Sequence, residues 1–375
     1  MAGIFAIVTT EILPIGLLLP IAAEFSLTAG ISGVMMTVPG VVAAVAAPLA
    51  TAFTRTSDRR TMLLVWMGLL AASNAICAIA TDFWMILGAR VLVGVVIGGF
   101  WSIGAGLAGR LVQTSHVARA TSTIFLAVPL GSVLGVPVGT FIADVEGWRA
   151  AFVVLTVVSL AVLIALACTL PPLPAGGGAR LRVLGRSLRL RGVRTGLLVT
   201  FLVVLAHFAT YTYVSAFLSD VTAMDLGAIS AVLLAYGGAG LVGTLLAGAT
   251  IVRHLGATFA VAAALIASAT LLLPVFGTHP PGALILLLLW GFGYGAVPVC
   301  SQTWLSRAAE NTGEVGSVLF TSSFQATISV GALVGGAVLD GASAVALMLL
   351  GGTVTLVAAA LIACSRPVRV DRLGG

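Results

Sequence analysis

Between Trp84 and Arg110 the chain runs for 27 residues, WMILGARVLVGVVIGGFWSIGAGLAGR, with a single charge, Arg90, before the arginine that closes it. A helix rises about 1.5 Å per residue, so roughly 20 apolar residues cross a hydrocarbon core of about 30 Å. Arg90 then falls about 9 Å inside the membrane from the Trp84 end. A guanidinium there costs on the order of 2.5–3.5 kcal/mol on insertion scales, which sets it against protein or a wet cavity rather than lipid. Gly94, Gly98 and Trp101 follow on the same helical stripe. A fixed cation, two small residues and a large aromatic make an inward-facing surface.

The rest of the chain resembles this stretch. Apolar residues make up 60% of it and charged ones 8%, against about 25% charged in soluble domains. Lipid is the solvent for most of such a surface, and the chain reads as a polytopic, all-α integral membrane protein. All 18 basic residues are arginine. They lie in short loops rather than on one soluble face, so the net charge of +6 marks topology and not nucleic acid. The four cysteines (Cys77, Cys168, Cys300, Cys364) are isolated in apolar runs, without metal-ligand or redox spacing.

Twelve apolar segments follow in order, at about 2–23, 30–53, 61–80, 84–110, 120–143, 150–170, 197–218, 228–252, 257–277, 282–307, 315–339 and 343–365. No charged leader or cleavage site precedes the first. Residues 171–196 form the one long polar stretch, opening with Pro and Gly and carrying six arginines. The organisation is therefore a six-helix bundle (1–170), a basic linker (171–196), a second six-helix bundle (197–365) and a tail (366–375). With the N-terminus placed inside, 16 of 18 arginines fall on the inner side. Arg149 lies outside and Arg90 within the membrane, and both termini are cytoplasmic by this rule. The halves echo each other: Gly94 and Gly98 match Gly291 and Gly295 at an offset of 197, and Gly131 and Gly135 match Gly331 and Gly335 at 200. That repetition is expected of a duplicated unit.

Three ionisable groups lie deep in the segments: Glu11, Arg90 and His207. A carboxyl near the midplane suits the uptake and release of a proton, and Glu11 is the first choice as carrier. The alternative is a neutral or Arg-paired glutamate that holds its helix in place. Arg90 serves either to tune a carboxylate or to bond helix-end carbonyls. His207 is either a packed ring or a proton relay. Asn74, Gln302 and Gln325 either bridge helices or bind solute hydroxyls. Trp101, Tyr211 and Tyr294 offer faces for a ring-shaped solute, whereas Trp304 reads as an interfacial-belt residue. Gly131, Gly135 and Gly139, with the bend permitted by Pro137, make a groove where another helix can approach closely and slide, a surface expected to seal one side of a cavity. Gly238-Ala-Gly240-Leu-Val-Gly243 spells a dinucleotide fingerprint but sits inside an apolar helix, where that chemistry has no footing.

Two stretches carry a family resemblance. LGARVLVGVVIGG (87–99) resembles the fourth-helix signature of the major facilitator superfamily, and GSVLGVPVG (131–139) its fifth-helix antiporter motif. TTEILPIGLLLPIAAEF (9–25), GGFWSIGAGLAGRLV (98–112), GWRAAF (147–152) and WGFGYGAVPVCSQTWLSRAA (290–309) look like the bacterial drug:proton antiporter branch, which includes sugar and purine-nucleoside exporters. The resemblance implies twelve helices in two pseudo-symmetric bundles, in a bacterial cytoplasmic membrane, working as a monomer. It implies proton-coupled efflux of a small neutral or weakly cationic solute by alternating access, with the proton gradient in place of a cofactor. The alternatives are a facilitator or importer, or a non-transporting sensor; the scattered ionisable groups argue against an intramembrane enzyme. The superfamily's loop between helices 2 and 3 keeps its basic pair, Arg59 and Arg60, but has Thr51 and Arg55 at its usual Gly and Asp. In the superfamily such loops latch the inward-closed state through charge pairs, so the resemblance implies a latch that is either weaker here or carried by Asp58.

Overall fold

The computed structural model describes residues 1–53, 58–104, 127–173, 186–309 and 313–365, and every regular element among them is an α-helix. Helices α1 (Ala2–Ile12) and α2 (Pro14–Glu24) form one span bent by 41°. Pro14 lacks an N–H and its ring crowds the preceding turn, which places the break. The short α3 (Ala29–Ser32) leads into α4 (Val34–Phe53). Asp58 caps α5 (Arg59–Ala78), and α6 (Phe83–Gly104), α7 (Ala127–Glu146) and α8 (Trp148–Thr169) complete the first half.

The second half comprises α9 (Arg191–Tyr211), α10 (Val214–Asp220), α11 (Leu226–Phe276), α12 (Pro280–Ala308), α13 (Gly313–Gly341) and α14 (Ala344–Cys364). Two consecutive spans make up α11, meeting where His254 leaves helical geometry at φ −131° and ψ 42°. Among the described residues ten helices are long and apolar enough to cross a membrane, or eleven with the bent α1–α2 pair as one span. The expected segment at 120–143 lies partly outside the described residues. Two differences from the sequence reading lie beside the linker. Helix α9 already begins at Arg191, inside the stretch read as linker, and the expected single segment 197–218 is broken between α9 and α10.

The repeated glycines do the same work in both halves. Gly94 and Gly98 bring α6 onto the α4 backbone at Pro39 and Ala43, while Gly291 and Gly295 bring α12 onto α11 at Tyr236 and Gly240. Gly131, Gly135 and Gly139 set α7 against Val8, Thr9 and Leu13, as Gly331 and Gly335 set α13 against Leu205 and Ala209. Close backbone approach at small residues is how helices pack where lipid removes the hydrophobic drive.

The helix that approaches the ladder at Gly131, Gly135 and Gly139 is therefore the first half's own α1 with the break after it. Contact between the halves comes from α7 by other residues: Val133 meets Gly237, and the Pro137 carbonyl accepts a hydrogen bond from the Ser230 hydroxyl at 2.8 Å.

Further contacts between the halves lie toward the arginine-poor end. The Asp340 carboxylate accepts from the Thr28 hydroxyl at 2.5 Å and from the Gly30 N–H at 3.0 Å. The Tyr213 hydroxyl donates to the Ala332 carbonyl at 2.7 Å and lies 3.4 Å from that of Gly30. Leu18 packs into a buried cluster with Ala209, Tyr213 and Leu347. At the same end Arg149, the arginine that broke the loop pattern, pairs with Glu24 at 2.7 Å and donates to the Ala80 carbonyl. Its position follows a turn at Gly147, whose φ of +84° only glycine adopts readily. GWRAAF is thus a clasp joining the ends of α2, α5 and α8.

Candidate functional site

Arg90 is fully buried and its guanidinium is divided among three backbone carbonyls: Nε donates to Met35 at 3.0 Å, and the two terminal nitrogens to Thr10 at 2.7 Å and Glu11 at 2.8 Å. Two of these acceptors have a specific origin. A helical carbonyl is normally bonded by the N–H four residues on. Four residues after Thr10 stands Pro14, and four after Met35 stands Pro39, neither of which has an N–H to give. Arg90 supplies the donors that two prolines withhold, and in doing so stitches α6 to the break in α1–α2 and to the start of α4. Of the two readings of Arg90, the geometry matches carbonyl bonding.

That stitch fixes Glu11, whose own carbonyl is one of the three. Its half-buried carboxylate points across to the second half, where Oε1 accepts from Gln325 Nε2 of α13 at 2.9 Å. Behind Glu11, Asn74 is completely buried and donates to Thr10 Oγ1 at 3.1 Å and to Ser159 Oγ at 3.4 Å. Asn74 bridges α5 to α1 and α8, which is the helix-bridging alternative and not an open substrate contact.

The facing wall is aromatic. His207 lies flat on Tyr294, ring centroids 3.4 Å apart and planes 4° from parallel, with Tyr211 stacked at 5.1 Å. Tyr211 stacks in turn on Tyr236 at 4.7 Å, and Trp290 presents an edge-on contact to His207, Tyr211 and Tyr236. Trp290 Nε1 donates to His207 Nδ1 at 3.0 Å. That bond assigns the ring hydrogen to Nε2, which finds no acceptor among the described residues. A second proton would have to sit on the nitrogen Trp290 occupies, so His207 is a neutral member of a ring stack. Tyr294 is half-buried, touches Phe208 edge-on at 6.0 Å and lies within electrostatic reach of Glu11. Phe208 extends the wall to Phe324.

The other expected residues sit elsewhere. Gln302 is half-buried on α12. Trp101 falls on α6, with its side chain outside the described residues. Trp304 is buried and donates to the Gly192 carbonyl at 3.1 Å, which corrects the interfacial-belt expectation. Arg59 and Arg60 tie α5 to the exit of α8: the Arg59 N–H donates to the Leu173 carbonyl at 2.9 Å and Arg60 to that of Ala167 at 2.6 Å. Asp58 accepts from the Leu173 N–H at 2.8 Å, so these bonds brace α5 against the exit of α8. Sequence reasoning missed Trp290 and Tyr236. A signal for Trp290 existed, because it stands four residues before Tyr294 and so shares its face.

Among the described residues the chain is all-helical, with ten or eleven membrane-length spans around a polar centre at Glu11, Arg90 and Gln325. The profile of the Major Facilitator Superfamily matches residues 1–324, and the chain belongs to that superfamily; it is a transporter and not an enzyme. It is 34% identical over 340 residues to "Transcription regulatory protein OpdE" of Pseudomonas aeruginosa, covering 90% of this chain and 85% of that one. It is 30% identical over 357 residues to the "Purine ribonucleoside efflux pump NepI" of Salmonella enteritidis, covering 95% and 90%. In fold it is similar to the human organic anion transporter MFSD10 (TETRAN), with a TM-score of 0.70 at 19% identity over 96% of this chain and 98% of that one. A POT family transporter gives 0.79 at 8% identity, over 96% and 94%.

Proposed function

We propose that this protein exports a small solute with a flat ring, of the purine ribonucleoside type, in exchange for protons. The observation that carries the reading is Glu11, a carboxylate held at the depth of the helix break and presented to the opposite half beside an aromatic stack. Glu11 takes the proton, Arg90 positions it, and Tyr294 with His207 and Tyr211 behind it offers a platform for a heteroaromatic ring. Gln302 is the amide available to ribose hydroxyls or base edges, Gln325 being bonded to Glu11. The similarity to a purine ribonucleoside efflux pump supports the solute class.

The arginine-rich end faces the cytoplasm of a bacterial cell, with both termini inside, and the sealed arginine-poor end faces out. The working unit is a monomer in the lipid bilayer, driven by the proton gradient and without a cofactor.

The test is uptake of radiolabelled adenosine into inside-out vesicles with an acidic lumen. Accumulation that collapses with an uncoupler supports the proposal. Uptake that stops at equal concentrations and is indifferent to the uncoupler assigns the facilitator reading, and no uptake of adenosine, pentoses or cationic drugs overturns transport of this class.

A further inference from the structure

We infer that Gln325 reads the protonation state of Glu11 and converts it into closure of the outward end. This rests on the proton-coupled reading above. The pair joins α1 of one half to α13 of the other, and its geometry is incomplete: Gln325 Nε2 donates to Glu11 Oε1 at 2.9 Å, while Gln325 Oε1 is buried without a partner among the described residues.

A primary amide offers a donor and an acceptor side by side, and a carboxylate offers only acceptors. Facing an ionised Glu11, the amide makes one hydrogen bond and its oxygen stands opposite a second lone-pair-bearing oxygen. A protonated Glu11 presents C=O and O–H together, so acid and amide close a ring of two reciprocal hydrogen bonds. A small turn about the terminal torsions, which are broad for such groups, completes it.

The surroundings fix the pair in place. Ser329 Oγ donates to the Gln325 carbonyl at 3.1 Å, and Gly40 of α4 packs directly on Ser329 and that carbonyl, so the amide is anchored where the two halves meet. The titratable groups that reach Glu11 are Arg90 from α6 and Tyr294 from α12, with Cys77 of α5 acting on Arg90. Arg90 is committed to carbonyls and Tyr294 to its stack. Gln325 is the partner whose bonding changes with the proton.

The direction of the effect matches antiport. A proton from outside water reaches Glu11 when the outward end is open, and the new O–H donates to Gln325 Oε1. This draws α1 and α13 together, in register with the Asp340 contacts to Thr28 and Gly30. When the inner side then opens, the proton leaves to cytoplasmic water and the second bond is lost. One additional net hydrogen bond shifts the sealed-to-open ratio by roughly 2- to 13-fold.

Spin labels at Ile31 and Ala342, in a background lacking the four cysteines, read the outward gap in nanodiscs from alkaline to acidic pH. The wild type is expected to gain sealed population on acidification. Glu11→Gln, which pairs two amides by two bonds, is expected to stay sealed throughout, and Gln325→Leu to lose the pH response. The exchange Glu11→Gln/Gln325→Glu rebuilds an acid–amide pair with the roles reversed and is expected to restore the response with a displaced midpoint. A pH-sensitive dye in vesicles follows nucleoside-driven proton movement alongside. Proton movement by the wild type, with Gln325→Leu sealing on acidification as the wild type does, overturns this inference alone. Absence of proton movement overturns the proton-coupled reading. If Gln325→Leu does not fold, an exchanged pair without pH response overturns the inference.

Discussion

The two halves are built on one plan and filled differently. Each has a span that breaks beside the centre, α1–α2 at Leu13 and α9–α10 at Thr212–Tyr213, and each uses the same two glycine-lined helix contacts. At the centre of the first half sits Arg90. At the matching offset of 197 in the second half sits Leu287, fully buried in a hydrophobic core. The first half therefore holds its broken span with charge-assisted bonds to carbonyls. The second fills its centre with the rings of His207, Tyr211, Tyr236, Trp290 and Tyr294. A duplicated frame has been given one polar centre and one aromatic centre. On the function proposed above, proton chemistry and ring recognition have separate seats that meet at Glu11, Tyr294 and Gln325.

The sharpest way to break this contrast is Arg90→Ala. Three carbonyls in a low-dielectric interior lose their donor, at about 1–3 kcal/mol each. The expected result is a large fall in thermal stability in detergent, or no folded protein. Arg90→Lys recovers only part of it, because one ammonium lacks the planar fork that reaches Met35, Thr10 and Glu11 together. An Arg90→Ala protein as stable as wild type would leave the first half's centre unexplained.

Next in size is Tyr294→Ala. Stacking on an aromatic side chain is worth about 1–3 kcal/mol per base, so binding of a purine ribonucleoside should weaken roughly 5- to 150-fold. Equilibrium dialysis measures the loss, and thermal stability near wild type shows that the fold is intact. Unchanged binding would move ring recognition out of the second half.

The glycines allow a finer comparison. A side chain at Gly135 enters Thr9 and Ile12 of its own half, whereas one at Gly237 enters Val133 across the divide. Gly135→Leu should lower thermal stability, and Gly237→Leu should leave it while holding the arginine-poor end open. Reagent access to a cysteine placed at Leu18 reads the second effect. The smallest effect is expected from Ser230→Ala, which removes one hydrogen bond between the halves, about 0.5–1.5 kcal/mol, and should raise the same labelling rate a few-fold.

Much of the frame was legible from sequence because lipid leaves few choices. Apolar runs of sufficient length must be helices, and a lone arginine inside one must find partners in protein. The partners of Arg90 were also within reach, since Pro14 and Pro39 name the carbonyls they leave unbonded. Helical spacing did less for the ladder at Gly131, Gly135 and Gly139. Such spacing says that a helix approaches closely, and not which helix, so a contact within one half reads the same as a seal between two. The Glu11–Gln325 bond was out of reach for a related reason. Its partners are 314 residues apart, and their meeting depends on how the halves close rather than on either segment. His207 was ambiguous until Trp290 and Tyr294 were seen around it, because a buried histidine's role is set by what occupies its two nitrogens.

The division of labour between the halves is tested most directly by proton movement on addition of adenosine to proteoliposomes, compared among wild type, Glu11→Gln and Tyr294→Ala. The account predicts proton movement by the wild type and none by Glu11→Gln, although that protein still binds adenosine. Tyr294→Ala should move protons only at adenosine concentrations raised in proportion to its lost affinity. Proton movement by Glu11→Gln at the wild-type rate would contradict it.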